Sequence, residues 1–201
     1  MPSMTPKKID FQSSISQHLE DSIDTIKKIQ SELSDDISAA VQLIIKTFSS
    51  GNKLFIAGNG GSAADAQHIA AEFVVRLSRD LERPALPAIA LTTDSSILTA
   101  SSNDNGFETV FKRQLEALSG KGDCFLAIST SGNSDNLVAA VKYARHNSLK
   151  IIGLLGNDGG ALKKMADVAI FVNQNSTQHV QEAHICIYHI ICDLVERSMF
   201  S

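Results

Sequence analysis

The chain has no surplus of positive charge. Its 18 lysines and arginines stand against 22 acidic residues, a net charge of −4. Without a basic field to hold a phosphate backbone, the balance argues against a nucleic-acid partner. A small anionic substrate would need donors placed locally. No stretch approaches the ~18 consecutive apolar residues of a membrane span, and Met1-Pro2-Ser3-Met4-Thr5-Pro6-Lys7-Lys8 is not followed by an apolar leader. The expectation is a cytoplasmic protein with no membrane partner. Cysteine is scarce: Cys124, Cys186 and Cys192 form no C-x-x-C pair, so they read as buried free thiols in a reducing compartment. There is no internal repeat, low-complexity tract or interdomain linker, and 201 residues suit one α/β domain with a substantial core.

What is present falls into two rhythms. Over residues 9–33, Ile15, Leu19, Ile23, Ile26, Ile29 and Leu33 recur at three- and four-residue spacing, the stripe of an amphipathic helix. Ser34-Asp35-Asp36 reads as a helix start, Ile37, Val41, Ile44, Ile45 and Phe48 continue a second helix, and Gly51 closes it. The near-heptad stripe fits packing against another subunit and equally fits packing on its own domain. From Lys53 the pattern changes to short apolar runs, Leu54–Ala57, Ala88–Leu91, Cys124–Ile128, Ile151–Leu155 and Val168–Val172, separated by helical segments. Continuous apolar strands alternating with helices predict a doubly wound α/β domain, with five parallel strands and helices on both faces. The division expected is residues 1–52 as N-terminal packing helices and 53–201 as the sheet domain, one structural unit overall. A last helix is expected from about Gln178 to Ser198.

In such sheets ligands bind beyond the carboxyl ends of the strands. There the chain places Gly58-Asn59-Gly60-Gly61-Ser62, then Thr92-Thr93-Asp94 with Asn103-Asp104 further on, Ser129-Thr130-Ser131-Gly132-Asn133-Ser134, and Gly156-Asn157-Asp158-Gly159-Gly160. Ser129–Ser134 offers four hydroxyls at a strand end and helix start, without a lysine or arginine. Free backbone N–H groups and the helix dipole favour an anion there, so this segment reads as a phosphate cradle, against the plainer reading of a capped turn. Gly58–Ala63 also fits G-x-G-x-x-A, the dinucleotide fingerprint. The acidic residue that fingerprint needs is misplaced: Asp80 and Glu82 come before Pro84, Pro87 and the second strand.

Two helices carry groups for proton or metal chemistry. His68 and Glu72 are four apart and share a face, which suits a divalent metal or a carboxylate–imidazole pair and equally a surface hydrogen bond. On the last helix Gln181 and His189 are eight apart, ~12 Å along the axis on one broad face. His184, among apolar neighbours, reads as a core histidine. Spacing alone assigns no role to His189.

Taken in order, Gly58-Asn59-Gly60-Gly61-Ser62, Asp65-Ala66-Gln67-His68, Glu72, Asn103-Asp104, Ser129–Ser134, Asp158-Gly159-Gly160 and Gln181-Glu182-Ala183-His184 with His189 resemble the phosphoheptose isomerase family, which uses the SIS-type fold. The resemblance covers essentially the whole chain. It implies conversion of sedoheptulose 7-phosphate to D-glycero-D-manno-heptose 7-phosphate, towards the ADP-heptose of the lipopolysaccharide core. It further implies a homotetramer with active sites between subunits and a zinc ion in each subunit. Carried over, Glu72 and His189 are the acid/base pair, and His68, Glu72, Gln181 and His189 the metal ligands. Asn59, Gly60, Gly61, Glu72, Asn103, Asp104, Ser129, Thr130, Ser131, Ser134 and Gln181 hold substrate. His179 departs from the family's usual arginine, Asn173–Thr177 lacks a frequent proline, and Phe73-Val74-Val75-Arg76 replaces a frequent Leu-Thr-Gly-Arg. Two other readings use the same fold: a non-catalytic protein that binds the replication initiator, and a sugar-phosphate sensor. The first resembles the enzymes less at Glu72 and His189, and the second is normally joined to a further domain.

Overall fold

A computed structural model describes residues 7–201; residues 1–6, part of the stretch expected to lack a leader, lie outside the described residues. Helix α1 (Phe11–Glu32) is capped by Asp10, whose side chain accepts from the backbone N–H groups of Gln12 and Ser13. Helix α2 (Ser34–Ser49) opens on Asp35 and Asp36, placed where the helix dipole favours negative charge. It stops before Gly51, whose φ of +75° suits glycine.

The sheet follows as β1 (Leu54–Gly58), β2 (Ala88–Ala90), β3 (Cys124–Ser129), β4 (Lys150–Gly156) and β5 (Val168–Val172). All pairings are parallel, in the order β2-β1-β3-β4-β5. The connecting helices are α3 (Gly61–Val74), α4 (Ser95–Asn105), α5 (Val110–Leu118), α6 (Asp135–His146) and the short α7 (Gly160–Lys163), and α8 (Thr177–Phe200) ends the chain. A 3-10 turn, Phe107–Thr109, joins α4 to α5. The five expected strands are all present; β1, β3 and β4 reach one residue further at their carboxyl ends than the apolar runs, and β2 stops one residue short, before Leu91.

Alternation along each strand divides the core in two. Leu54, Ile56, Leu126, Ile128, Ile152 and Leu154 face a layer containing Ile44, Ile69, Ile187 and Val195 from α2, α3 and α8. Phe55, Ala57, Phe125, Ala127, Ile151 and Leu155 face Val110, Leu115, Leu137 and Val141 from α5 and α6. Strands buried on both sides explain the unbroken apolar runs. Ile29 of α1 and Leu33, the residue between α1 and α2, join the first layer, so the N-terminal helices share the core of the sheet. The rest of their stripe is open in the single chain: Ile15, Leu19 and Ile23 are each more than half exposed. All three cysteines are free thiols; Cys124 and Cys192 are buried as expected, but Cys186 is only half-buried because it lines a groove between α8 and the α1–α2 pair, beside Ile26, Ile29 and Ile37. Among the described residues no helix is long and apolar enough to cross a membrane.

Because β1 connects to β2 on one side and β3 lies on the other, the topological switch falls between β1 and β3. The crevice at their carboxyl ends is therefore framed by the Gly58 and Ser129 loops.

Candidate active site

The β1 loop turns into α3, and the β3 loop into α6. The two are tied by a reciprocal amide pair, Asn59 and Asn136, each Nδ2 donating to the other's Oδ1 at 2.9 Å. Asn59 and Ser134 line one cleft of ≈ 330 Å³ with Phe107, Glu108, Asp135 and Asn136. Within Ser129–Ser134, the Ser129 hydroxyl is buried, accepts from the Gly132 N–H at 3.1 Å and lies 3.2 Å from the Ser134 hydroxyl. It shapes the loop, while the Ser131 side of the turn stays exposed. Gly132 has φ +66° and its Cα faces the Gly159 carbonyl so closely that a Cβ would collide. That contact docks the β4 loop onto the β3 loop.

Gly61 opens α3, and a Cβ there would strike the Gln181 side-chain amide of α8. The absence of a side chain lets Gln181 lie over the helix start. Two turns further, His68 and Glu72 meet His189. His68 Nε2 is 2.9 Å from Glu72 Oε1 and 3.5 Å from His189 Nε2. One ligand atom from each of the three lies within 4.8 Å of the other two. Tyr188 closes the group from behind, its hydroxyl 2.8 Å from His68 Nδ1. Burial pushes the Tyr188 phenol above its usual range, so it stays protonated. The contact fixes the orientation of the His68 ring, with Nε2 turned towards Glu72. His68 is exposed and Glu72 and His189 are half-buried, so the cluster faces solvent.

One turn before His68, Asp65 is buried, and its Oδ2 has no hydrogen-bond partner among the described residues. Burial raises its carboxyl to about 6, with His68 drawing it back. His184 is fully buried, and burial lowers it to about 4, so it is neutral at pH 7 and takes the core position expected of it.

The expected residues fall into three groups. His68, Glu72 and His189 converge within one chain. Asn59, Gly60, Gly61, Gln181, Thr130, Ser131 and Ser134 ring the switch-point loops. Asn103 and Asp104 sit instead on the last turn of α4, hydrogen-bonded to each other, and Asp104 lines a separate cleft with α5. Sequence reasoning gave Asp65 no role beyond its place in a motif, and missed Tyr188 and Asn136. Asp65 precedes His68 by three residues on the same helical face, a signal available in the sequence; Tyr188 and Asn136 carry none without the packing.

The SIS domain family model matches residues 17–156. The phosphoheptose isomerase of Trichlorobacter lovleyi is 50% identical over 190 residues, covering 94% of this chain and 96% of that one. That of Citrifermentans bemidjiense is 51% identical, covering 96% and 97%. The chain belongs to the phosphoheptose isomerase family. The solved phosphoheptose isomerase GmhA from Neisseria gonorrhoeae superposes with a TM-score of 0.88 at 39% identity, covering 94% of this chain and all of that one. A phosphoheptose isomerase from Francisella tularensis gives 0.87 at 32% identity, with the same coverage.

Proposed function

We propose that the protein isomerises sedoheptulose 7-phosphate to D-glycero-D-manno-heptose 7-phosphate through an enediol, supplying the route to ADP-heptose for lipopolysaccharide. The observation that carries this reading is the junction of Glu72 and His189 beside His68, two turns along α3 from the hydroxyl-lined loops. An aldose–ketose exchange needs one group to move a carbon-bound proton and another to serve the oxygens. Glu72 removes a proton from C1 of the ketose and returns it to C2. His189 gives a proton to the C2 oxygen and takes one from the C1 hydroxyl, so no proton is gained or lost overall. Thr130, Ser131 and Ser134 receive the phosphate at the start of α6, where backbone N–H groups and the dipole favour an anion. Ser129 holds that loop in shape, and Asn59, Gly60, Gly61 and Gln181 orient the sugar between the two ends.

The donor set of His68, Glu72 and His189, two imidazoles and a carboxylate within 4.8 Å, fits zinc, with Gln181 as a further oxygen donor from the same helix as His189. Tyr188 is the outer partner that orients His68. Such an ion, when bound, polarises the carbonyl oxygen. Only Oε1 of Glu72 lies against His68, which leaves its second oxygen for the carbon-bound proton.

The open stripe of Ile15, Leu19 and Ile23 supports assembly into a cytoplasmic homotetramer, and Asn103 and Asp104, set apart in the single chain, are then contributed across a subunit interface. A coupled assay with sedoheptulose 7-phosphate tests the reading. Turnover is expected, abolished by chelator and restored by zinc. No turnover by metal-replete protein would sink it.

A further inference from the structure

A second cluster of metal-ligating side chains lies outside this site, on the side of α8 that faces α1. His18 comes from the second turn of α1, and His179 and Glu182 from the first two turns of α8. Glu182 Oε1 is 2.9 Å from His18 Nε2, and Oε2 is 3.0 Å from His179 Nδ1. One ligand atom from each residue lies within 4.8 Å of the other two. Four ligands at zinc bond lengths of ~2.0–2.1 Å stand about 3.3 Å apart on a tetrahedron, and both carboxylate–imidazole contacts lie near that spacing.

The surroundings are those of a built site. The two imidazoles approach with ring centroids 4.4 Å apart, so both ring edges reach the same carboxylate. His179 is buried, while His18 and Glu182 are partly open at 41% and 42%, leaving a way in. The Ser22 hydroxyl lies 2.6 Å from Glu182 Oε2 and 3.1 Å from His179 Nδ1, an outer-shell position that orients both ligands. Asp21 Oδ2 stands 3.9 Å from His179 Nε2 and adds negative charge at the rim. Among the described residues no lysine or arginine pairs with Glu182; its partners are His18, His179 and Ser22.

We propose that His18, His179 and Glu182 form a second site for a zinc-like divalent transition-metal ion, one that fastens α1 to α8. It is separate from the His68 cluster. Glu182 follows Gln181 by one residue and so points ~100° away around α8. Its consequence is mechanical: an ion there fixes the register of α1 and so the direction in which Leu19 and Ile23, on the turns beside His18 and Ser22, are displayed.

The test is zinc stoichiometry by elemental analysis after equilibrium dialysis of the full chain, with cobalt(II) absorption as a second readout. Wild-type protein should bind two ions per chain. His18→Ala/His179→Ala should bind one and His68→Ala/His189→Ala one. Glu182→Gln, which keeps the side-chain shape, should weaken one of the two wild-type ions by tenfold or more, and circular dichroism reports whether each variant is folded. A single wild-type ion that disappears only with His68→Ala/His189→Ala would overturn the proposal. So would two ions retained at full affinity in both His18→Ala/His179→Ala and Glu182→Gln. Because the two clusters are emptied by different variants, failure here leaves the reading of the isomerase site untouched, and the reverse.

Discussion

The packing of α3 and its following loop against α8 creates two charged clusters only a few residues apart, with opposite characters. In one, Arg83 and Glu196 are shut in, their side chains 0% and 2% exposed. Glu196 accepts from Arg83 Nε at 2.8 Å and from the backbone N–H groups of Leu77 and Ser78. Arg83 also donates to the carbonyl oxygens of Glu72, Phe73 and Pro84. Every valence of this pair is spent on the fold. In the other cluster, His68, Glu72 and His189 face solvent with donor atoms to spare. The closed cluster supports the open one. Arg83 satisfies the terminal carbonyls of α3, including that of Glu72, and ties them to the helix that carries His189.

The sharpest way to break this pairing is Arg83→Met. It leaves the Glu196 carboxylate buried without its cation, which costs about 3–5 kcal/mol. Denaturant unfolding should show this as a lower midpoint, with activity falling in step with the folded fraction. The same pair has a pH signature. Burial alone would raise the Glu196 carboxyl, but the Leu77 N–H, Arg83 and the Ser78 N–H together hold it below its ordinary 4.5. A depressed carboxyl stabilises the fold above that ordinary value and loses its contribution as pH falls through the lowered one. The stability gap between wild type and Glu196→Gln should therefore be constant above about pH 5 and close in stronger acid. A gap that widens on acidification would contradict the assignment.

Substitutions in the open cluster should do the reverse. Glu72→Gln and His189→Gln are each expected to lower turnover by about 10² or more, with thermal midpoints close to wild type. Near-normal turnover in either folded variant would remove that residue from the chemistry. Tyr188→Phe sits between the two behaviours. It keeps the ring in its buried place and removes the hydroxyl that orients His68, so zinc affinity should fall ~10–100-fold, the range for outer-shell partners. Turnover at saturating zinc should recover most of its wild-type value; unchanged zinc affinity would show that Tyr188 only packs.

The contrast also explains what the sequence could reveal. The strands were readable because a sheet covered on both faces demands unbroken apolar runs, and glycine or serine marks where each run ends. His68 and Glu72 were visible as a helical pair because their relation is local. Their meeting with His189, 121 residues away, depends on how α3 crosses α8, which no local pattern encodes. The closed cluster was hidden more completely. Asp80 and Glu82 lie too early for the dinucleotide fingerprint, and nothing local marks their neighbour Arg83, which finds its partner 113 residues later, inside the protein. The α1 stripe was half legible: Ile29 and Leu33 pack on the chain's own core, whereas Ile15, Leu19 and Ile23 are left outside it.

The smallest expected effect concerns where the boundary of one active site lies. The family resemblance implies active sites between subunits, which raises the question of whether one chain supplies both α3 and α8 to a site. In the folded chain α3 and α8 pack directly, and His68 reaches both Glu72 and His189 without help. Subunits carrying Glu72→Gln and subunits carrying His189→Gln each lack one member of a pair that belongs together. Mixing them under conditions that let subunits exchange should thus restore no activity beyond the two parents. Exchange itself can be verified by mass-tagging one partner. Asn103 and Asp104 provide the contrasting arm, because they stand apart from the cluster in the single chain. Mixing Glu72→Gln with Asp104→Asn should recover part of the wild-type rate if a neighbour's α4 completes the site, since some sites then combine an intact cluster with an intact Asp104. Recovery in the first mixture would place His189 of one subunit beside Glu72 of another and would break the intrachain cluster; silence in both would confine the whole site to one chain.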